Sequence, residues 1–67
     1  MIDVIVNGKA EQIDPDIVID QLLARIGLAG KRVAVELNRE IVPRSLHGET
    51  RLKAGDRVEI VHAIGGG

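Results

Sequence analysis

Hydrophobic and polar residues alternate from the start of the chain: Ile2, Val4 and Val6 are interleaved with Asp3 and Ile5 and lead into Asn7-Gly8. A period of two predicts a strand, and Asn-Gly predicts a type I′ hairpin turn, because both central positions of that turn need positive φ. Residues 9–13 return as a short second strand. Asp14-Pro15-Asp16 ends it, since proline has no N–H to give to a ladder. The same triplet is expected to open a helix: Asp14 or Asp16 would cap its orphan N–H groups, and Pro15 suits its first turn. Ile19, Leu22, Leu23 and Ile26 then recur at helical spacing as one apolar stripe, while Asp20, Gln21 and Arg25 face water. Gly27 supplies a left-handed stop with Leu28 folding back on the last turn, so the helix is expected over residues 17–26.

Alternation resumes at Val33, Val35 and Leu37, separated by Ala34 and Glu36, and predicts a half-buried strand that Asn38-Arg39-Glu40 turns. Ile41-Val42 is a brief strand stopped by Pro43. Residues 44–52 are polar and irregular apart from Leu46 and Leu52, and Ala54-Gly55-Asp56 is a turn with Gly55 at positive φ. The last strand is expected from 57 to 63 or 64, with Val58 and Ile60 on one face and Glu59 and Val61 on the other. One helix of about ten residues covers one face of a small mixed sheet, and a chain this short has nothing left for the other face. The fold class expected from this order is α+β, a ubiquitin-like β-grasp. Its domain spans 1–64, with the first and last strands central and parallel, and residues 65–67 form a flexible C-terminal glycine tail.

Composition narrows the function. The 67 residues make a single small domain, and without cysteine neither a disulfide nor a Cys-ligated zinc can staple it. A hydrophobic share of 45% excludes an ordinary disordered tail. Nine basic and ten acidic residues leave a net charge of −1, which steers the chain onto neither nucleic acid nor an anionic membrane. With no Phe, Tyr or Trp there is no platform on which to stack bases. No stretch has the length of a membrane span and the N-terminus does not read as a signal peptide, so a cytoplasmic location is expected.

Internal residues do not form a catalytic pattern. Asp14 and Asp16 read as a helix start rather than as metal ligands. Ser45 and His47 read as a solvated loop, since a nucleophile and base also need an orienter and an oxyanion hole. His47 and His62 lack a patterned third ligand, so no metal site is assigned, and His62 is expected to be a strand residue beside the tail. No cofactor is expected. Attention moves to Ile64-Gly65-Gly66-Gly67. A glycine-rich end is also the composition of a linker or a frayed terminus. Lacking Cβ atoms, however, these residues can thread a narrow cleft, and residues 63–67 reach roughly 17 Å when extended. The Gly67 carboxylate is ionised at neutral pH and is a poor acyl donor until it gains a leaving group such as AMP. An ATP-using enzyme would therefore have to grip this domain and thread the tail.

The residues from Val33 onward resemble the ThiS family of sulfur carrier proteins of thiamin biosynthesis. The likeness rests on Val33-Ala34-Val35-Glu36-Leu37-Asn38, on Ile41-Val42-Pro43-Arg44-Ser45, on Leu52-Lys53-Ala54-Gly55-Asp56-Arg57-Val58-Glu59-Ile60-Val61, and on the Gly-Gly end. The resemblance implies that a ThiF-type adenylating enzyme uses MgATP to form an acyl-adenylate on Gly67. A protein-bound persulfide then supplies sulfur, giving a thiocarboxylate that a ThiG-type thiazole synthase consumes. By this reading Gly67 is the modified residue, Gly66 the second member of the Gly-Gly pair, Gly65 a spacer, and Ile64 the start of the segment that threads into the partner. At the position after Leu46, where relatives often carry an aromatic, this chain has His47.

Val61 and Ala34, with Ile64, make a candidate apolar docking patch, and Arg44 and Arg57 read as solvated surface charge. Three other readings stand beside this one. The small subunit of molybdopterin synthase shares the fold and the Gly-Gly end but is usually longer through the middle. A ubiquitin-like protein modifier would share activation by adenylation. A plain interaction domain would have a passive glycine end.

Overall fold

Asn7 and Gly8 take φ values of 50° and 81° in the computed structural model, which describes residues 1–62, and they join β1 (Ile2–Val6) to β2 (Lys9–Ile13) as an antiparallel hairpin. After α1 (Ile19–Arg25), β3 (Val33–Leu37) turns through Asn38 and Arg39, at φ 52° and 71°, into β4 (Glu40–Val42). The final described strand is β5 (Arg57–His62). Among the described residues the sheet order is β2-β1-β5-β3-β4, with β1 and β5 parallel at its centre. This is the mixed sheet and single helix expected of a ubiquitin-like β-grasp.

The core lies between α1 and the inward face of the sheet. Ile19, Leu22 and Leu23 of the helix pack with Val4, Val6, Ile13, Val35, Val58 and Ile60 of the strands, and Leu52 is buried with them. Alternation dictates this division: Val58 and Ile60 are buried, whereas Glu59 and Val61 of the same strand are exposed. At the helix end Gly27 adopts φ 83°, Leu28 N–H donates to Leu23 O at 2.7 Å, and Gly27 N–H donates to Ala24 O at 3.2 Å. These are the paired bonds of a Schellman motif.

The helix start departs from expectation. Asp14 and Asp16 cap nothing; Pro15 and Asp16 form an exposed turn with Asp16 at φ 67°, and α1 begins at Ile19. Ile17 and Val18 stay outside the helix, Val18 with extended backbone, because they pair with the segment read as irregular: Val18 bridges Arg51, and Leu52 N–H donates to Ile17 O at 2.9 Å. The same segment satisfies the first helical N–H groups, with Thr50 O accepting from Ile19 N and His47 O from Asp20 N. Gln21 Oε1 reaches back to accept from Val18 N–H at 2.9 Å. Backbone carbonyls and one glutamine thus do the work assigned to the aspartates.

Two side-chain networks fix β5 in place. Asn7 Oδ1 accepts from Ile60 N–H at 2.7 Å, extending the β1–β5 pairing past the point where the β1 backbone turns away. Asn38 Oδ1 accepts from Arg57 N–H, and Asn38 Nδ2 donates to Asp56 Oδ1, which ties the β3–β4 turn to the start of β5. Replacing Asn7 by Ala removes the acceptor for a part-buried N–H and leaves a side chain poorly suited to positive φ. The expected cost is about 1–2 kcal/mol, read as a lower midpoint in urea denaturation with an unchanged slope.

Candidate functional site

The end of β5 is where the candidate site begins. β5 is hydrogen-bonded to β1 on one side and β3 on the other, so its direction is fixed by the centre of the sheet. Its last described residue, His62, pairs with Val33 and is exposed, as expected of a strand residue preceding the tail. Ile64, Gly65, Gly66 and Gly67 lie outside the described residues, as do the expected end of the last strand beyond His62 and the division between residues 1–64 and 65–67.

Ala34 and Val61 are brought together. They are directly opposed on β3 and β5, both exposed and both on the face away from α1, with Val61 61% accessible. Nothing among the described residues covers this face. Sequence reading missed one further member, Ile41, which is 71% accessible and sits opposite Glu36 on the same face. The Asn38-Arg39 turn carried the signal: a two-residue hairpin loop pairs 37 with 40 and 36 with 41, which sends Ile41 outward beside Glu36.

His47 overturns the expectation of a solvated loop. A 3₁₀ turn over Arg44–Leu46 carries it inward, where it is 3% exposed and its Nε2 lies 3.0 Å from Val42 O, the imidazole N–H donating to the carbonyl. Ser45 remains exposed, so the structure does not assemble the pair. The ring packs against the sheet edge while its own carbonyl caps α1, so this residue joins the 43–52 segment to both layers. It lines a cleft with Asp20, Lys31 and Arg44, and Arg44 and Arg57 are exposed as expected. Asp14 and Asp16 are surface residues of a turn. Among the described residues no three His, Cys, Asp or Glu side chains gather in a way that would hold a metal ion, and no helix is long and apolar enough to cross a membrane.

Comparison with known proteins bears directly on the segment that leaves β5. The model of the ThiS family matches residues 4–67, from β1 to the last glycine. The sulfur carrier protein ThiS of Bacillus subtilis is 42% identical over 62 residues, covering 91% of this chain and 94% of that protein. A thiazole synthase of Paramagnetospirillum magneticum is 38% identical over 63 residues, but the chain spans only 19% of its length. Among solved structures, the crystal structure of the thiamine biosynthesis protein ThiS from Geobacter metallireducens superposes with a TM-score of 0.85 at 35% identity. That match covers 98% of this chain and 100% of that one. A family model that reaches Gly67, a full-length relative and a superposable structure agree: this chain belongs to the ThiS family.

Proposed function

We propose that the chain is a sulfur carrier for thiazole formation in thiamin biosynthesis, a protein co-substrate rather than a catalyst, whose reacting atom is the carboxyl carbon of Gly67. The observation that carries this reading is that the family match runs from the folded domain through the terminal glycines. In the proposed sequence a ThiF-type enzyme binds the domain and a Gly67 carboxylate oxygen attacks the α-phosphorus of ATP, expelling pyrophosphate. The terminal sulfur of a protein persulfide then attacks the acyl carbon and displaces AMP. A thiol cleaves the resulting S–S bond, supplying the two electrons that release the thiocarboxylate. A ThiG-type thiazole synthase takes the sulfur.

The thiazole synthase relative supports that last partner, because a segment like this chain forms part of a protein bearing that name. Ala34 and Val61 are proposed as part of the docking face, with Ile64, Gly65 and Gly66 entering the partner's cleft, and a cytoplasmic location is proposed with them, in keeping with a need for ATP and a persulfide. The test is intact-mass spectrometry after incubation with the ThiF-type enzyme of the same organism, ATP and a persulfide donor. Exchange of one oxygen for sulfur at the C-terminus is expected. An unchanged mass, in a mixture that converts an authentic ThiS, would overturn the assignment.

A further inference from the structure

The cleft beside His47 has no part in the proposed function. It is bordered by the loop that follows α1 and by the 3₁₀ turn, encloses about 280 Å³, and has Leu23, Leu28 and Val33 as its apolar side. Its charged members are Asp20, Lys31 and Arg44, all three exposed. Opposite charges thus border one small space, yet among the described residues none of the three makes an ion pair. Asp20 is held against the turn: its N–H donates to His47 O at 3.0 Å, and its Oδ2 lies 3.3 Å from where a Cβ on Gly48 would stand. Arg44 and His47 are three residues apart along the 3₁₀ turn, where side chains at i and i+3 eclipse, so both reach the same cleft.

His47 is an independent sign of a ligand. Val42 O can only accept, so Nε2 carries the proton of the neutral ring and Nδ1 is left as an acceptor. The residue is 3% exposed, and Nδ1 has no partner among the described residues. No fully enclosed side-chain nitrogen or oxygen among them is left unsatisfied, so Nδ1 opens onto accessible space, and the space His47 borders is the cleft. A ring nitrogen so placed calls for a donor from outside the chain.

We infer that this cleft binds a free α-amino acid with an aliphatic side chain. Arg44 and Lys31 take its carboxylate, Asp20 and His47 Nδ1 share its ammonium, and Leu23, Leu28 and Val33 cover its side chain. Complementarity selects this occupant. A simple anion would leave Asp20 and Nδ1 without a donor, and a simple cation would leave Arg44 and Lys31 without an acceptor, whereas an ammonium has three N–H donors to divide between two acceptors. The volume is below the about 300–1,000 Å³ of sites for drug-sized ligands, which suits one amino acid rather than a nucleotide. The inference stands apart from the sulfur-carrier reading and does not depend on it.

The test titrates the full isotope-labelled chain with L-leucine and follows its amide and imidazole resonances by NMR. Saturable shifts are expected at Leu23, Gly30, Lys31 and His47, with a Kd of about 1–10 mM, the range that a ligand of so few atoms reaches. The Nδ1 resonance of His47 should move upfield as its lone pair gains a donor. N-acetyl-L-leucine, which lacks the ammonium, and L-leucinamide, which lacks the carboxylate, should each bind at least about 10-fold more weakly. Arg44→Gln and Asp20→Asn, both at exposed positions, should keep the native amide spectrum away from the cleft and bind L-leucine roughly 2- to 5-fold more weakly. Any of four results overturns the inference: no saturable shift or shifts scattered over the surface, an unmoved Nδ1, an analogue that binds as tightly as L-leucine, or undiminished affinity in either variant.

Discussion

Deleting Gly67, or extending the chain by one residue beyond it, is expected to abolish thiocarboxylate formation while leaving the thermal melt unchanged. The described hydrogen-bonded ladder of β5 ends at His62, and every described core residue lies at or before Ile60, so neither change removes a described packing contact. Under the proposed function the effect on chemistry is instead total, because adenylation needs the free carboxylate at the distance the enzyme's cleft requires. An extension moves that group about 3.3–3.6 Å further along an extended chain and replaces the reacting glycyl carbon by an internal amide. Intact mass after incubation with enzyme, ATP and persulfide reads the first half of the expectation, and calorimetric melting the second. Sulfur incorporation into the extended chain would show that Gly67 is not the acceptor, and a large drop in melting temperature would make the terminus structural.

The largest stability effect is expected at Leu22→Ala. Leu22 is fully buried between α1 and the sheet, in a core that counts ten buried aliphatic residues among the described residues, with no aromatic in the chain to take up slack. Truncation of a buried leucine costs about 2–5 kcal/mol through lost transfer energy and the cavity left behind. A domain of this size usually has only about 3–5 kcal/mol in total. The variant should therefore be largely unfolded in buffer, showing a lost urea transition and collapsed amide dispersion. A two-state transition displaced by less than about 1 kcal/mol would mean that neighbouring side chains close the gap, contrary to the close packing around Ile19, Leu23 and Val58.

The two expectations separate the molecule into parts that act differently. Ile13, Ile19, Leu22, Leu52, Val35 and Val58 hold β5 at the centre of the sheet. Ala34, Val61 and Ile41 contribute little burial and, under the proposed function, leave a face for partners. Val61 and Ile60 are chain neighbours, yet β pleating gives one to each role.

The sequence by itself determined whatever a few neighbouring residues decide. Asn7-Gly8 specified its turn because both residues tolerate positive φ, Gly27 specified the helix stop for the same reason, and alternation along β5 assigned Val58 and Ile60 to the core and Val61 to the surface. The terminal glycines and the motifs from Val33 onward pointed to the family and to Gly67. Tertiary structure alone decided how α1 starts, where His47 lies and which residues share the outer face. Asp14 and Asp16 had the chemistry of caps, but Thr50 O and His47 O arrive from some thirty residues away along the chain and fill that need first. His47 has a polar side chain in a polar segment, and only the carbonyl of Val42 at the edge of the folded sheet makes its burial favourable. Ile41, Glu36 and Glu59 become neighbours through strand register. Turn and cap preferences act over two to five residues, whereas register and buried hydrogen bonds are settled by partners that folding alone brings within reach.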